Sequence, residues 1–549
     1  MADGGPIMPL SEVHAGMDCT GETVVQGTTI SSFNVHVIDV LQSASGPRIL
    51  VTVSGPAVDL TGVAAGMSGS PVYCEDSSGT LRNAGAISAG IGEYGNKSAL
   101  VTPIEQMLGE PVKPPSGAPR LTARTRSLDG PLTVGGLSPA LLAVLQRAGK
   151  RAGRTVLASP PSATPAEFPV QDLVPGASVG TEYSIGTITT GAIGTVTYRD
   201  GPVVYAFGHE LDGAGRRSLL LEDAYVYYVA NDPNPADSPS SYKLAAPGHV
   251  LGTLTSDTPN GVIGLVGSPP PTIPVEVTAH DLDTGRVISE QTQVADETDV
   301  GSPLGTSMLD TIAPLALGQA AIDIYDGPPA SESGRLCLRV QLRESSQPLG
   351  FCKRYVGIGA AGDSGEQPPE LSNGVATDVA TALGVLDQVQ FAQLHVTKVE
   401  ATVDAQRGLQ EASITGAHAP KRVRAGTVAR IRLRVRMFRG GVRTVSLRIR
   451  IPQGAHGHLA ATIHGPSFSP TPPSSSGSGL ASLISITLTP PTLSGPPPPS
   501  IAAVRRAISA IGGYDGLKVS FNGGAAKPTY TDPSLLISGR TTLAFQVSR

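Results

Sequence analysis

The chain has 549 residues, enough for three or four domains, with 66 Gly, 48 Pro, few aromatics and no tryptophan. Its net charge of −5 gives no global case for nucleic acid or an anionic membrane surface, and no apolar run reaches the length of a membrane span. Short alternating runs of Val, Thr and Ile between Gly, Pro, Asp and Asn turns have the texture of a mainly β protein with a few helices.

Residues 1–112 read as strands. Gly21–Gly27 and Phe33–Val40 alternate with period two, and Ile49–Val53 is a third run. A hairpin follows over Ser70–Cys74 and Asn83–Ile87, with its turn at Asp76-Ser77-Ser78-Gly79, and Ala99–Leu108 passes from strand to short helix. Residues 113–170 are richer in Pro, Arg and Ala and read as a linker, with one helix opened by Ser138-Pro139 and running to Lys150. Residues 171–290 return to strands, among them Gly191–Tyr198 and Val203–Phe207, the latter ending at Gly208-His209. Residues 291–390 form an α+β region with helices expected over Met308–Ile324 and Val375–Leu386. Residues 391–465 look like a β-sandwich, residues 466–500 are a Pro/Ser-rich segment, and residues 501–549 hold a helix near Ala502–Ile511 and a strand at Thr541–Val547. In the sandwich Arg430, Arg432, Arg434 and Arg436 alternate with Ile431, Leu433, Val435 and Met437. That is either a solvated sheet face or a dock for an anionic envelope polymer or an acidic protein.

Four cysteines allow three pairings. Cys337 and Cys352 flank an apparent hairpin and are natural partners, which leaves Cys19 with Cys74. Four buried free thiols are the other reading. Two bridges point to an oxidising compartment, hence to an extracytoplasmic chain. The opening Met1-Ala2-Asp3-Gly4-Gly5-Pro6 has no signal-peptide core, which fits a mature or trimmed form, or a chain that stays inside.

The stretch richest in chemistry is Gly62-Val63-Ala64-Ala65-Gly66-Met67-Ser68-Gly69-Ser70-Pro71. A serine between glycines suits a nucleophile turn, which must lift a hydroxyl clear of the backbone and aim main-chain amides inward. It also suits an ordinary Gly/Ser hairpin turn. On the first reading Ser68, not Ser70, is the nucleophile, and the amides of Gly66 and Ser68 form the oxyanion hole. His209, directly after a buried-looking strand and a glycine, is placed to act as a base or to serve structure alone. Gly362-Asp363-Ser364-Gly365 and Gly176-Ala177-Ser178-Val179-Gly180 also spell nucleophile motifs, but the first lacks a supporting strand and the second runs into a strand where a helix is needed.

With these residues in view, the chain resembles the stage IV sporulation protein B peptidases, serine peptidase family S55. The likeness lies in Gly62–Pro71 with Thr102–Leu108, in Gly191–Tyr198 with Val204–His209, and in Gly252–Gly264. It covers roughly residues 5–110 and 170–285. It implies a two-lobed, trypsin-like β-barrel catalytic domain, with the serine half in 1–112 and the histidine half in 171–290, followed by small α+β and β-sandwich accessory regions. It also implies a serine endopeptidase with Ser68 as nucleophile, His209 as base, no metal or organic cofactor, and a protein or peptide substrate cleaved outside the cytoplasm. Three features depart from the family. The two halves stand in permuted order, no PDZ domain interrupts the histidine half, and the family's aspartate position falls on Val53. Asp59 is the nearest preceding carboxylate and the candidate third member, and Asp212 lies just after His209. An inactive peptidase-fold protein acting as an envelope-associated binding module is the alternative, favoured by that missing aspartate.

Overall fold

The computed structural model describes residues 5–91, 97–121, 125–127, 132–151, 154–159, 168–231, 241–300, 308–358, 368–466, 496–532 and 534–548. The chain is mainly β. Its first unit holds β1 (Asp18–Gln26), β2 (Thr29–Ser43), β3 (Gly46–Ser54), β4 (Pro71–Glu75), β5 (Leu81–Ile91) and β6 (Ser98–Pro103), with the short helix α1 (Ile104–Met107) after it. These strands pair in the order β4-β1-β2-β3-β6-β5, and β5 pairs back to β4, so six antiparallel strands close into a ring. Period two in the sequence is period two in space: Phe33, Val35 and Val37 of β2 point inward while Asn34, His36 and Ile38 face out. The inward set packs with Ile49, Val51, Val53, Met67, Val72 and Val101.

Between the rings lie β7 (Thr125–Ser127), β8 (Leu132–Gly135), the helix α2 (Pro139–Arg151) and β9 (Val156–Ala158). The expected helix is present, but this stretch is more than a linker. Leu141, Val144, Leu145 and Ala148 of α2 are buried in the largest core, and β8 pairs with the second sheet. A basic, Pro-rich composition concealed an amphipathic helix whose one apolar stripe suffices to anchor it.

The second unit repeats the closure. β10 (Ser178–Gly186), β11 (Thr189–Asp200), β12 (Val203–Ala206), β13 (Gly215–Asn231), β14 (Ser241–Thr258) and β15 (Gly261–Val266) pair as β10-β13-β14-β15-β12-β11, and β11 pairs back to β10. The sheet does not stop there. β16 (Thr272–Asp281) and β17 (Val287–Ala295) join it through β10, and β18 (Ser331–Leu342), β19 (Leu349–Ile358) and β20 (Val396–Arg407) extend it, β20 running parallel to β16. The helices α3 (Leu309–Asp323) and α4 (Glu370–Asp387) pack on this extension and share its core. The expected break at residue 290 is therefore crossed by one sheet, and β20 belongs with the α+β region rather than the sandwich.

The C-terminal sandwich has two sheets. β21 (Glu411–His418), β23 (Val428–Met437), β24 (Val442–Arg450) and β28 (Leu536–Ser538) form one, in the order β24-β23-β21-β28. The other holds β22 (Arg422–Arg424), β25 (Gly457–His464), β26 (Leu517–Phe521), β27 (Lys527–Tyr530) and β29 (Arg540–Ser548). The last fifty residues thus complete the sandwich instead of standing apart. Only the helix α5 (Ile501–Gly512) leaves it, and Gly512 of that helix meets the carbonyl of Cys352.

Both cysteine pairs are bridged, Cys19–Cys74 across β1 and β4 and Cys337–Cys352 across β18 and β19, each between directly opposed residues. Among the described residues, no helix is long and apolar enough to cross a membrane.

Candidate active site

The turn between β3 and β4 carries Ser68. Gly66 and Gly69 have φ of 87° and 92°, the left-handed region that glycine enters without a steric penalty. At Gly69 there is a second reason for glycine. A Cβ there would overlap the carbonyl oxygen of Thr195 and come within 2.5 Å of the Phe207 amide nitrogen.

The two serines of the motif are not equivalent. Ser70 Oγ donates to the Met67 carbonyl at 2.6 Å, and its amide reaches the same oxygen at 3.0 Å. Ser70 is spent on the turn. Ser68 Oγ is fully buried and has no hydrogen-bond partner among the described residues. The amides of Gly66 and Ser68 likewise donate to no acceptor among the described residues, while Gly69 N–H is held by Ile87 O at 2.8 Å.

His209 follows β12 across a strained step. Phe207, a fully buried non-glycine, has φ of 69°, and Gly208 has φ of 71°. The Gly208 carbonyl accepts from Thr102 Oγ1 at 2.7 Å, so a β6 residue of the first ring holds the histidine loop of the second. His209 is 9% exposed, and its Nδ1 lies 2.6 Å from the Glu210 carbonyl oxygen. A carbonyl can only accept, so Nδ1 carries the proton and Nε2 is the basic nitrogen. Beyond it, the buried carboxylate of Asp257 accepts from the amides of Leu211 (2.7 Å), Asp212 (2.8 Å) and Ala214 (3.1 Å). Asp257 lies in the Gly252–Gly264 stretch and closes the loop that follows the histidine.

The Ser68 turn and β5 meet β11 of the second ring along a buried polar seam. Thr195 N–H donates to Ser68 O at 2.8 Å, Thr197 Oγ1 to Gly69 O at 2.7 Å, and Asn83 Nδ2 to Thr197 O at 2.9 Å. At the rim Arg48 donates to Asn260 Oδ1 at 3.0 Å and to Gln106 Oε1 at 2.8 Å.

Beneath the Ser68 turn lies Lys243, which sequence reasoning did not single out. Its stem passes Gly66, and its buried ammonium donates to Thr195 Oγ1 at 3.0 Å and Ser178 Oγ at 3.2 Å. Thr195 Oγ1 in turn lies 3.1 Å from the Gly66 carbonyl oxygen. Burial pulls the Lys243 pKa down to about 7. The available signal was parity: Lys243 shares the inward face of β14 with Ser241 and Ala245.

Asp59 is not brought to His209. It sits half-exposed on the turn after β3, where its carboxylate accepts from Lys97 Nζ at 2.6 Å and from Gly55 N–H at 3.2 Å. The Lys97 hydrogen bond holds its pKa below the usual value. Proximity in sequence misled here, because the turn carrying Asp59 faces solvent. Val53, the position that the resemblance would give to an aspartate, is a buried core residue of β3. Asp212 is committed elsewhere, held by Arg154 and Arg217 at 2.8 Å each and by the Tyr183 hydroxyl. Ser178 opens an internal strand, as its sequence suggests, and Gly362–Gly365 lies outside the described residues.

No family model, curated protein or solved structure matches this chain.

Proposed function

We propose that the chain is a serine endopeptidase resembling the sporulation protein B type, acting on a protein substrate outside the cytoplasm. The observation that carries this reading is the contrast inside one turn. Ser70 is bonded into the scaffold, whereas Ser68 Oγ and the two amides expected to face an oxyanion are committed to nothing among the described residues. Two closed six-strand rings, one supplying the serine and the other the histidine, suit the layout of a trypsin-like pair of barrels.

In this mechanism Ser68 Oγ attacks the scissile carbonyl while His209 Nε2 takes its proton. The Gly66 and Ser68 amides receive the negative oxygen, and each such donor typically supplies on the order of 3 kcal/mol to barrier lowering. His209 then protonates the leaving amine. Its tautomer is set by the Glu210 carbonyl, which Nδ1 meets at 2.6 Å. Because Ser68 is fully buried, the described state is the closed one, and the substrate or an activating cleavage has to open it.

A second reading, an inactive peptidase-fold binding protein, is favoured by that burial and by Val53 standing where the resemblance calls for an aspartate. A fluorophosphonate serine probe separates the two, applied before and after limited proteolysis to wild type and to the Ser68→Ala, His209→Ala and Ser178→Ala variants. Labelling retained by Ser178→Ala and lost in the other two supports the peptidase. Folded protein that takes no label in any form supports the silent scaffold.

A further inference from the structure

The strongest unexplained feature lies far from Ser68, on the outer face of the first sandwich sheet. β23 is exposed at Arg430, Arg432, Arg434 and Arg436 and buried at Ile431, Leu433 and Val435. β24 beside it adds exposed Arg448 and Arg450 on the same parity. Arg430 stands directly opposite Arg448 in the antiparallel register, with Ser446 and Thr444 opposite Arg432 and Arg434. Like charges directly across a sheet are destabilising. Among the described residues none of the six is ion-paired, whereas Arg443, on the other parity, reaches Asp532 at 3.8 Å.

The chain offers little internal counter-charge there: Glu411, on the outward parity of β21, accepts from Ser538 Oγ at 2.9 Å. Residues 408–549 hold 17 Lys and Arg against 3 Asp and Glu, which leaves residues 1–407 with 23 basic and 42 acidic side chains. Residues 466–500 hold no charged residue at all. A chain of net charge −5 therefore concentrates its positive charge in one module and lines up guanidiniums on one flat face of it.

We propose that this face binds a linear phosphodiester polyol of the cell envelope. Alternate residues on a strand repeat about every 6.8 Å, a spacing comparable to the phosphate repeat of an extended polyol phosphate. Guanidinium groups bind phosphate oxygens in forked pairs, which suits arginine over lysine. The strand positions of the face carry no Phe, Tyr or Trp on which bases could stack, which argues against a nucleic acid. Exposed Val428, Val442 and Phe438 stand at its ends, and its flat, polar centre offers no apolar stripe to insert into a bilayer. Two disulfides suit the compartment in which envelope polymers occur.

The test is titration of the full-length protein with poly(glycerol phosphate) over a range of salt. Six phosphate contacts give a slope of log K against log salt on the order of −4, and the Arg430→Gln/Arg432→Gln/Arg434→Gln/Arg436→Gln variant a slope of about −1. The double variant Arg432→Gln/Arg434→Gln falls between them. Lys527→Gln/Arg540→Gln, which removes charge from the other sheet, leaves the slope unchanged. All six arginines are exposed, so thermal melts of the variants stay close to wild type. Equal binding by wild type and the quadruple variant overturns the proposal. So does tighter binding to oligo(dT) or to phosphatidylglycerol vesicles than to the polymer, and so does salt-reversible self-association, which makes a second copy the occupant.

Discussion

Thr195 holds the backbone of Ser68: its amide donates to the Ser68 carbonyl at 2.8 Å across the boundary between the two rings. The same residue takes a hydrogen bond from Lys243 through its hydroxyl, which also lies 3.1 Å from Gly66 O. One buried threonine thus ties the Ser68 turn to the ring that carries His209. The geometry of Ser68 depends on docking of the two rings, not on the turn alone.

Gly69→Ala tests that dependence. The added Cβ collides with the Thr195 carbonyl and the Phe207 amide, both rigid backbone, at a residue whose φ is 92°. The expected loss exceeds about 2 kcal/mol, by strain and by parting the seam. Gly66→Ala meets only the flexible Lys243 stem at 3.2 Å, so its cost is mainly the left-handed backbone, roughly 1–2 kcal/mol. Urea unfolding of both variants checks the order. A Gly66 variant less stable than the Gly69 variant contradicts the account.

The paired serines give opposite expectations. Ser68→Ala removes a buried hydroxyl with no partner among the described residues, so stability holds or rises by about 1 kcal/mol while probe labelling disappears. Ser70→Ala breaks a 2.6 Å bond to Met67 O and costs about 1 kcal/mol, with labelling kept. Denaturant midpoints and labelling, read together, distinguish a functional serine from a structural one.

Much of this was legible before the structure. Period two placed the inward faces of β2 and β23, and the Gly-Met-Ser-Gly pattern singled out Ser68 over Ser70. The seam was not legible, because Thr195 and Thr197 look like ordinary strand threonines until the partner ring supplies acceptors for them. Lys243 was hidden for the same reason: a lysine in a strand reads as exposed unless the parity of its neighbours is followed. Asp59 shows the converse failure, since distance along the chain says nothing about which way a turn faces. Domain edges placed on composition failed at residue 290 because a sheet grows by edge pairing, which leaves no compositional mark.

Asp257→Asn is expected to act on His209 without touching it. The carboxylate gathers three amides of the 210–214 loop, and a neutral amide oxygen accepts them more weakly. Labelling of Ser68 should slow by tenfold or more, in a variant that still folds. Asp59→Asn, which disturbs only a surface contact with Lys97, should label like wild type. If the Asp59 variant slows and the Asp257 variant does not, Asp257 does not position His209.

The second ring also stores an acid pair whose titration sets a pH dependence. Glu222 and Glu182 lie on one inward face of β13 and β10, with Asp223 next in the chain. Burial, with the neighbouring negative charge, pushes Glu222 up to about 8 and raises Glu182 as well. The folded state therefore keeps protons that the unfolded chain, titrating near 4.5, has released. By linkage, stability is greatest below pH 4.5 as far as this pair is concerned, and it falls as pH rises from 4.5 toward 8. Lys243 works the other way, because its lowered pKa adds stability as pH rises from about 7 toward 10.5. The window to read is thus pH 5 to 7, where Glu290 and Glu332, each raised by burial to about 7, act in the same direction as the pair. The unfolding free energy of wild type from urea titration should fall across it by an amount on the order of 1 kcal/mol per pH unit for each titrating group. Glu222→Gln, which cannot ionise, should flatten that slope, and parallel slopes for the two proteins would remove the pair as its cause.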